Sequence, residues 1–262
     1  MINKKVIFFD IDGTLLTPGK RIVEPSTIQI LQELSIRDDV DLYVSSGRAK
    51  ETLGEITHIL PYFRGLNLAN GGQVIIDGKE YLYPFMRKDV EPFITYLNAN
   101  QISYAVMTSK SNLRMYFRDD IKKGIDAEVK CEYQLLTVDD DFYFDDIIEL
   151  WILDMNDKIE VLKTLFPNLT FFNWGNFGCD VVPNGRSKAS GIKTIIELMN
   201  YNYDLTYAIG DSDNDVPMFK AVKTSIAMNN GSLNAKNAAT FITDDVQNAG
   251  VKKAIDNYII KK

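Results

Sequence analysis

The chain has little cysteine and almost no histidine. Only Cys131 and Cys179 are present, far apart and outside any Cys-x-x-Cys pair or Cys/His cluster. Neither a disulfide framework nor a zinc site is therefore expected, and both are read as buried thiols. The single histidine, His58, falls inside a predicted helix and leaves no obvious catalytic histidine. No run of 18 apolar residues occurs, nor a basic start followed by an apolar stretch and a small-residue cleavage site. This argues against membrane insertion and export and makes the cytosol the expected compartment. Basic residues are outnumbered as well. The 29 Lys and Arg against 36 Asp and Glu leave a net charge of −7, a poor match to the backbone of a nucleic acid. Such a chain can still bind a small anion where metal, Lys, Arg and helix N-termini gather locally.

What is present is a globular composition. The 262 residues, 45% hydrophobic and 25% charged, suffice for one large domain or two modest ones. “KKVIFFD” (4–10) is a continuous apolar run, as in a strand buried on both faces of a parallel sheet. A helix is predicted over 25–36, a strand over 40–46, a second helix over 49–60 and a third strand over 66–70, the alternation of a doubly wound α/β layer. At 71–84 the rhythm changes, with Asp77-Gly78 marking a tight hairpin. Mixed strands and helices follow, and the acidic run 139–146 reads as a solvated loop. Near residue 184 the α/β alternation resumes, so one domain is expected to interrupt another, with junctions near 84 and 184.

Ligands of open parallel sheets bind beyond the C-terminal ends of the strands, which directs attention to the residues after each apolar run. Those residues are Asp10 and Asp12, then Ser46, Gly47 and Arg48, then Asn70, and finally Gly210, Asp211, Asn214 and Asp215, with Lys188 opening a helix. Residues i and i+2 of an extended segment face the same way, so Asp10 and Asp12 address one space and repel unless a cation lies near. Mg²⁺, which accepts one or two carboxylates with phosphate and water, suits Asp10 and Asp211. A calcium loop does not fit. Counting from Asp211, its sixth and twelfth places hold Val216 and Val222, and counting from Asp10 its twelfth place holds Arg21.

Taken in order, “FFDIDGTLL”, “VSSGR”, Lys188 and “GDSDND” closely resemble the haloacid dehalogenase (HAD) superfamily, in particular its Cof-like phosphatases with a large α/β (type IIB) cap. The resemblance spans both ends of the chain. It implies an α/β fold, with a Rossmann-like doubly wound parallel-sheet core over 1–83 and 185–262 and an inserted α+β cap over 84–184 that sets substrate specificity. It also implies a Mg²⁺-dependent phosphomonoester hydrolase acting on small phosphorylated metabolites, sugar phosphates foremost, through an aspartyl phosphate. On this resemblance Asp10 is the nucleophile. Asp12 is the acid and base, with its main-chain carbonyl on Mg²⁺. Ser46, the Gly47 backbone and Lys188 hold the phosphoryl group, and Asn214 bonds phosphate and Lys188. Asp211 is a metal ligand, and Asp215 a direct or outer one.

Several points stay open. Arg48 is a phosphate clamp or a structural ion pair. Asn70 is a candidate substrate contact, as are Trp174 and Asn176 of the inserted unit, whose aromatics, Phe177 among them, equally suit a core. Ser46 stands where the family often has Thr, and “NGG” (70–72) and “AMNNG” (227–231) also depart from its usual pattern. The alternatives are a phosphomutase of the phosphomannomutase type and a non-catalytic phosphometabolite-binding protein. The expected partner is a small phosphorylated metabolite, with no nucleic acid and no membrane, for a monomer or homodimer.

Overall fold

The computed structural model of the chain describes residues 1–110, 113–116, 133–136, 146–153, 158–174 and 178–260. In chain order the first elements are β1 (Lys5–Phe9), α1 (Pro25–Ser35), β2 (Val40–Ser45), β3 (Gly65–Leu68), β4 (Gln73–Ile76) and β5 (Lys79–Leu82). Next come α2 (Arg87–Ala99), β6 (Tyr104–Thr108), β7 (Leu113–Tyr116), β8 (Gln134–Leu135), β9 (Ile147–Ile152), α3 (Ile159–Leu165), β10 (Leu169–Asn173) and β11 (Cys179–Pro183). The chain ends with α4 (Lys188–Met199), β12 (Thr206–Gly210), α5 (Val216–Lys220), β13 (Thr224–Ala227), α6 (Leu233–Ala238), β14 (Phe241–Ile242) and α7 (Gly250–Ala254). These elements form two compact units. One is made of Met1–Gly47, Glu55–Tyr81 and Ser187–Lys262, the other of Arg48–Gly54 and Leu82–Arg186.

The first unit is built on an eight-stranded sheet in the order β14-β13-β12-β1-β2-β3-β4-β5. Its first six members are parallel and β4 runs antiparallel to β3. From Val6 to Phe9 β1 is apolar and buried because it is central, covered on both faces and paired on both edges. α1 starts on Pro25, which supplies helical φ where no N–H is needed, and buries Thr27, Ile30, Leu31 and Leu34 at helical spacing. Asp77 and Gly78 both have positive φ, as a two-residue turn of primed type between β4 and β5 requires. The strand order reverses around β1 and β12, the place where ligands of such sheets bind.

One element differs from the sequence reading. The single helix expected over 49–60 is three short 3₁₀ turns, Lys50–Thr52, Gly54–Ile56 and Leu60–Tyr62. Gly54 weakens helix propagation, Pro61 lacks an amide donor, and the buried Ile56 and Ile59 are three residues apart, the repeat of a 3₁₀ turn. A 3₁₀ turn at Asp213–Asp215 leads into α5. α6 starts from Ser232, whose side chain caps it by accepting the Ala235 amide.

The second unit holds a six-stranded sheet, order β10-β11-β9-β6-β7-β8, antiparallel except for the β7–β8 pair. One face packs against α2 and α3 through Phe93, Ile94, Leu97 and Leu162 over Val106, Leu150 and Val181. The other carries Ala105, Met107, Met115, Trp151 and Leu153, with Ala49 packed among them. Cys179 is a buried free thiol, as expected, whereas Cys131 and residues 139–145 of the acidic run lie outside the described residues. Among the described residues no helix is long and apolar enough to cross a membrane.

Candidate active site

The ends of β1 and β12 and the start of α4 bring one buried ionic cluster together. Asp10 follows β1 directly, and its amide donates to the Ile209 carbonyl of the neighbouring β12 at 2.9 Å. Lys188 is the first residue of α4, whose start is fixed by a capping box in which Ser187 and Ser190 each satisfy the other's backbone amide. Its Nζ lies 2.5 Å from Asp10 Oδ1 and 2.6 Å from Asp215 Oδ1, with all three side chains at least 95% buried. Asp215 is held in turn through Oδ2, which accepts the amides of Asp211 (2.8 Å) and Ser212 (3.0 Å). Two glycines permit this closeness. A Cβ at Gly210 would stand 2.6 Å from the Asp215 carboxyl, and one at Gly13, which has φ +80°, would stand 2.2 Å from Asp211 Oδ2.

The electrostatics are unbalanced. One oxygen from each of Asp10, Asp211 and Asp215 lies within 4.8 Å of the others. With all three carboxylates ionised, the Lys188 ammonium would leave an excess of two negative charges, which a cation would have to offset. Burial pushes the Asp10 carboxyl up to about 7, with Asp215 adding to the rise and Lys188 pulling against it. Asp211 is pushed up to about 9 by burial, then by Asp10 and Asp215. Burial works against the Lys188 ammonium, yet Asp10 and Asp215 outweigh it and hold its pKa above the ordinary value. Asp211 Oδ1 is buried and accepts no hydrogen bond. An all-oxygen donor set, two surplus negative charges and an orphaned carboxylate oxygen fit a hard divalent cation.

The other sequence candidates are distributed as follows. Asp12 is exposed, its carboxylate outside the buried cluster, with Arg21 Nη1 3.7 Å from Oδ1. Arg21 is also paired with Glu55 at 2.8 Å. Ser46 is buried just beyond β2, its amide donating to the Asn67 carbonyl and its own carbonyl accepting from the amide of Asn70. Asn70 is buried with φ +49°. The Asn214 carboxamide oxygen accepts from Ser212 Oγ at 2.7 Å, and the groups that hold Lys188 are Asp10 and Asp215. Gly47 ends the first stretch of its unit, and Arg48 opens the short stretch belonging to the other, where its Nη1 donates to the Thr52 carbonyl at 2.8 Å. Trp174 is 39% exposed, its ring edge-to-face with Trp151 at 5.7 Å. Asn176 and Phe177 lie outside the described residues.

Sequence reasoning missed two contributors. Asn67 is fully buried and donates to both Ser45 Oγ (2.9 Å) and the Lys188 carbonyl (2.8 Å). Its signal was available, since an amide inside an otherwise apolar strand needs partners. Asn230 donates to the Gly13 carbonyl at 2.8 Å and accepts the Val246 amide at 2.9 Å, tying down the turn after Asp12. Its stretch, 227–231, stands out in the sequence only as a departure from the usual family pattern.

Comparison with known proteins gives a consistent assignment. The chain is 29% identical over 260 residues to “Putative phosphatase YkrA” of Bacillus subtilis, covering 97% of each. It is 26% identical to the 5-amino-6-(5-phospho-D-ribitylamino)uracil phosphatase YcsE of the same organism, covering 99% of this chain and 97% of that one. Among solved structures, the HAD subclass IIB sugar phosphatase BT4131 matches at a TM-score of 0.89 and 20% identity, covering 98% of this chain and 100% of the other, a likeness of fold. The family model for haloacid dehalogenase-like hydrolases matches residues 7–255, and the chain belongs to that family.

Proposed function

We propose that this hydrolase is a Mg²⁺-dependent phosphomonoesterase acting on small phosphorylated metabolites, sugar phosphates foremost, with Asp10 as the nucleophile. The observation that carries this reading is the buried Asp10–Lys188–Asp215 ion-pair array with Asp211 beside it. Asp10 and Asp211, with the Asp12 carbonyl, would hold the cation, which supplies charge neutralisation between carboxylates and phosphate. Asp215 has both oxygens engaged, one by Lys188 and one by backbone amides, and so suits orientation of Lys188 better than direct ligation.

The chemistry of the chain's own groups follows. An Asp10 oxygen attacks phosphorus, the ester P–O bond breaks, and Asp12 protonates the departing alkoxide. Water then attacks the aspartyl phosphate as Asp12 removes its proton, which returns the Asp10 carboxylate and releases inorganic phosphate. Asp12 is solvent-exposed, so a leaving group and water could approach its carboxyl beside Arg21. The Lys188 ammonium offsets charge on Asp10 and on the phosphoryl oxygens, the term that dominates phosphoryl transfer. Ser46 and the Gly47 amide offer donors beyond the end of β2. The sugar-phosphate preference is supported by what BT4131 is named as acting on, and assignment of specificity to residues 84–184 goes with it.

Phosphate release from a panel of phosphorylated sugars and other metabolites, with and without Mg²⁺, tests the proposal. Metal-dependent release by the native chain, absent in Asp10→Asn, is the expected result. Folded protein that releases phosphate from none of them, or an active Asp10→Asn enzyme, would refute it.

A further inference from the structure

We propose that Asn67 is a positioning residue for phosphoryl transfer, fixing through the Lys188 main chain where the Lys188 ammonium stands between Asp10 and Asp215. The inference rests on the proposed role of Lys188.

Asn67 lies on β3 and is fully buried. Its Nδ2 donates to Ser45 Oγ, at the end of β2, and to the carbonyl of Lys188, the first residue of α4. Its own carbonyl accepts the Ser46 amide at 2.8 Å. One residue thus ties together the strand end that leads into Ser46 and the helix start that carries Lys188. The amide orientation follows from chemistry, because the Lys188 carbonyl can only accept and must face the nitrogen.

Two observations separate this from ordinary core packing. Asn67 Oδ1 is buried with no hydrogen-bond partner, so the side chain serves as a donor only, and an apolar side chain in its place would leave the Lys188 carbonyl without that donor. The same oxygen occupies the space that a Cβ on Gly191 would need, at 1.8 Å, so α4 reaches this depth only with glycine at 191. A second close approach acts on the same turn. At Gly71, which has φ +90°, a Cβ would stand 2.5 Å from Ser190 Oγ and 2.6 Å from the Ser187 carbonyl. The first turn of α4 is therefore seated against the sheet end from two sides, and Lys188 extends from it.

A double-mutant cycle tests the coupling, with Asn67→Leu, Lys188→Met and both together. The readouts are kcat and KM for p-nitrophenyl phosphate, the inhibition constant of inorganic phosphate, and Mg²⁺ affinity by calorimetry. With Lys188 intact, Asn67→Leu is expected to lower kcat by about tenfold and to weaken phosphate inhibition. Its Mg²⁺ affinity should stay within about twofold, since no hydrogen bond of Asn67 reaches Asp10 or Asp211. In the Lys188→Met background the same change should alter phosphate affinity by less than about twofold, an equilibrium readout that needs no turnover. Equal losses in both backgrounds, or a folded Asn67→Leu enzyme with native kcat, overturn the inference alone. Undiminished phosphate affinity in Lys188→Met overturns the role of Lys188 itself, and the inference with it. Should Asn67→Leu fail to fold, Asn67→Ala enters the same cycle with the same expected and excluding results.

Discussion

A lysine 1% exposed at the first position of a helix faces two penalties, desolvation and the positive end of the helix dipole. Asp10 and Asp215 offset both, so Lys188→Met should lower kcat by about 10²–10³-fold. It should also lower the melting temperature measured without metal, because two buried carboxylates lose their partner. Parallel kinetic and melting measurements check both effects. A different buried acid behaves independently. Glu149 on β9 receives the Trp151 indole N–H at 2.9 Å on one oxygen and has no partner on the other. Burial, then Asp180, holds its carboxyl well above the ordinary range. The folded chain therefore keeps a proton that the unfolded chain has released. The stability contribution is complete below the ordinary pKa of 4.5 and is lost as pH rises toward the folded value. Glu149→Gln should raise the melting temperature at pH 8 and leave it nearly unchanged at pH 4. An unaltered difference between the two pH values would exclude this role.

At the scale of elements, Asp41 and Tyr43 of β2 are pinned by a polar network whose other members lie far away in sequence. Tyr201 Oη donates to Asp41 Oδ2 at 2.5 Å and lies 2.9 Å from Tyr43 Oη, while Arg64 bridges Asp41 and Asp77. Tyr201→Phe removes the shared hydroxyl and should cost about 1–3 kcal/mol in denaturant unfolding while leaving kcat within about twofold. A larger loss of activity than of stability would count against a purely structural role. The elements themselves were largely legible. β1, β2, α1 and the Asp77-Gly78 turn follow from apolar periodicity, a proline start and turn chemistry. The 49–60 segment was not, because apolar residues spaced for an α-helix also suit successive 3₁₀ turns once Gly54 and Pro61 interrupt propagation. Asn67 stands out as an amide inside an otherwise apolar strand, but the main-chain carbonyls that Asn67 and Asn230 reach lie far away in sequence, and no local pattern encodes those partners.

For the molecule as a whole, the surplus charge in the first unit links stability, pH and metal. The elevated Asp10 and Asp211 values mean that, without a cation, folded chains hold protons that unfolded ones release. The stability contribution falls as pH rises from the ordinary 3.8 toward about 7 and about 9. A divalent cation bound to the ionised form would reverse that loss, so on the proposed function Mg²⁺ should raise the melting temperature strongly at pH 8 and only slightly at pH 5. Differential scanning calorimetry at both pH values checks it, and Asp211→Asn should abolish the shift. The most direct test is chemical: quench the enzyme during turnover of a phosphorylated sugar with Mg²⁺ present, digest it, and locate any protein-bound phosphoryl group by mass spectrometry. The expected result is an acyl phosphate on the peptide containing Asp10, absent in Asp10→Asn. A phosphoryl group on another residue, or an Asp10→Asn enzyme that still turns over, would contradict it.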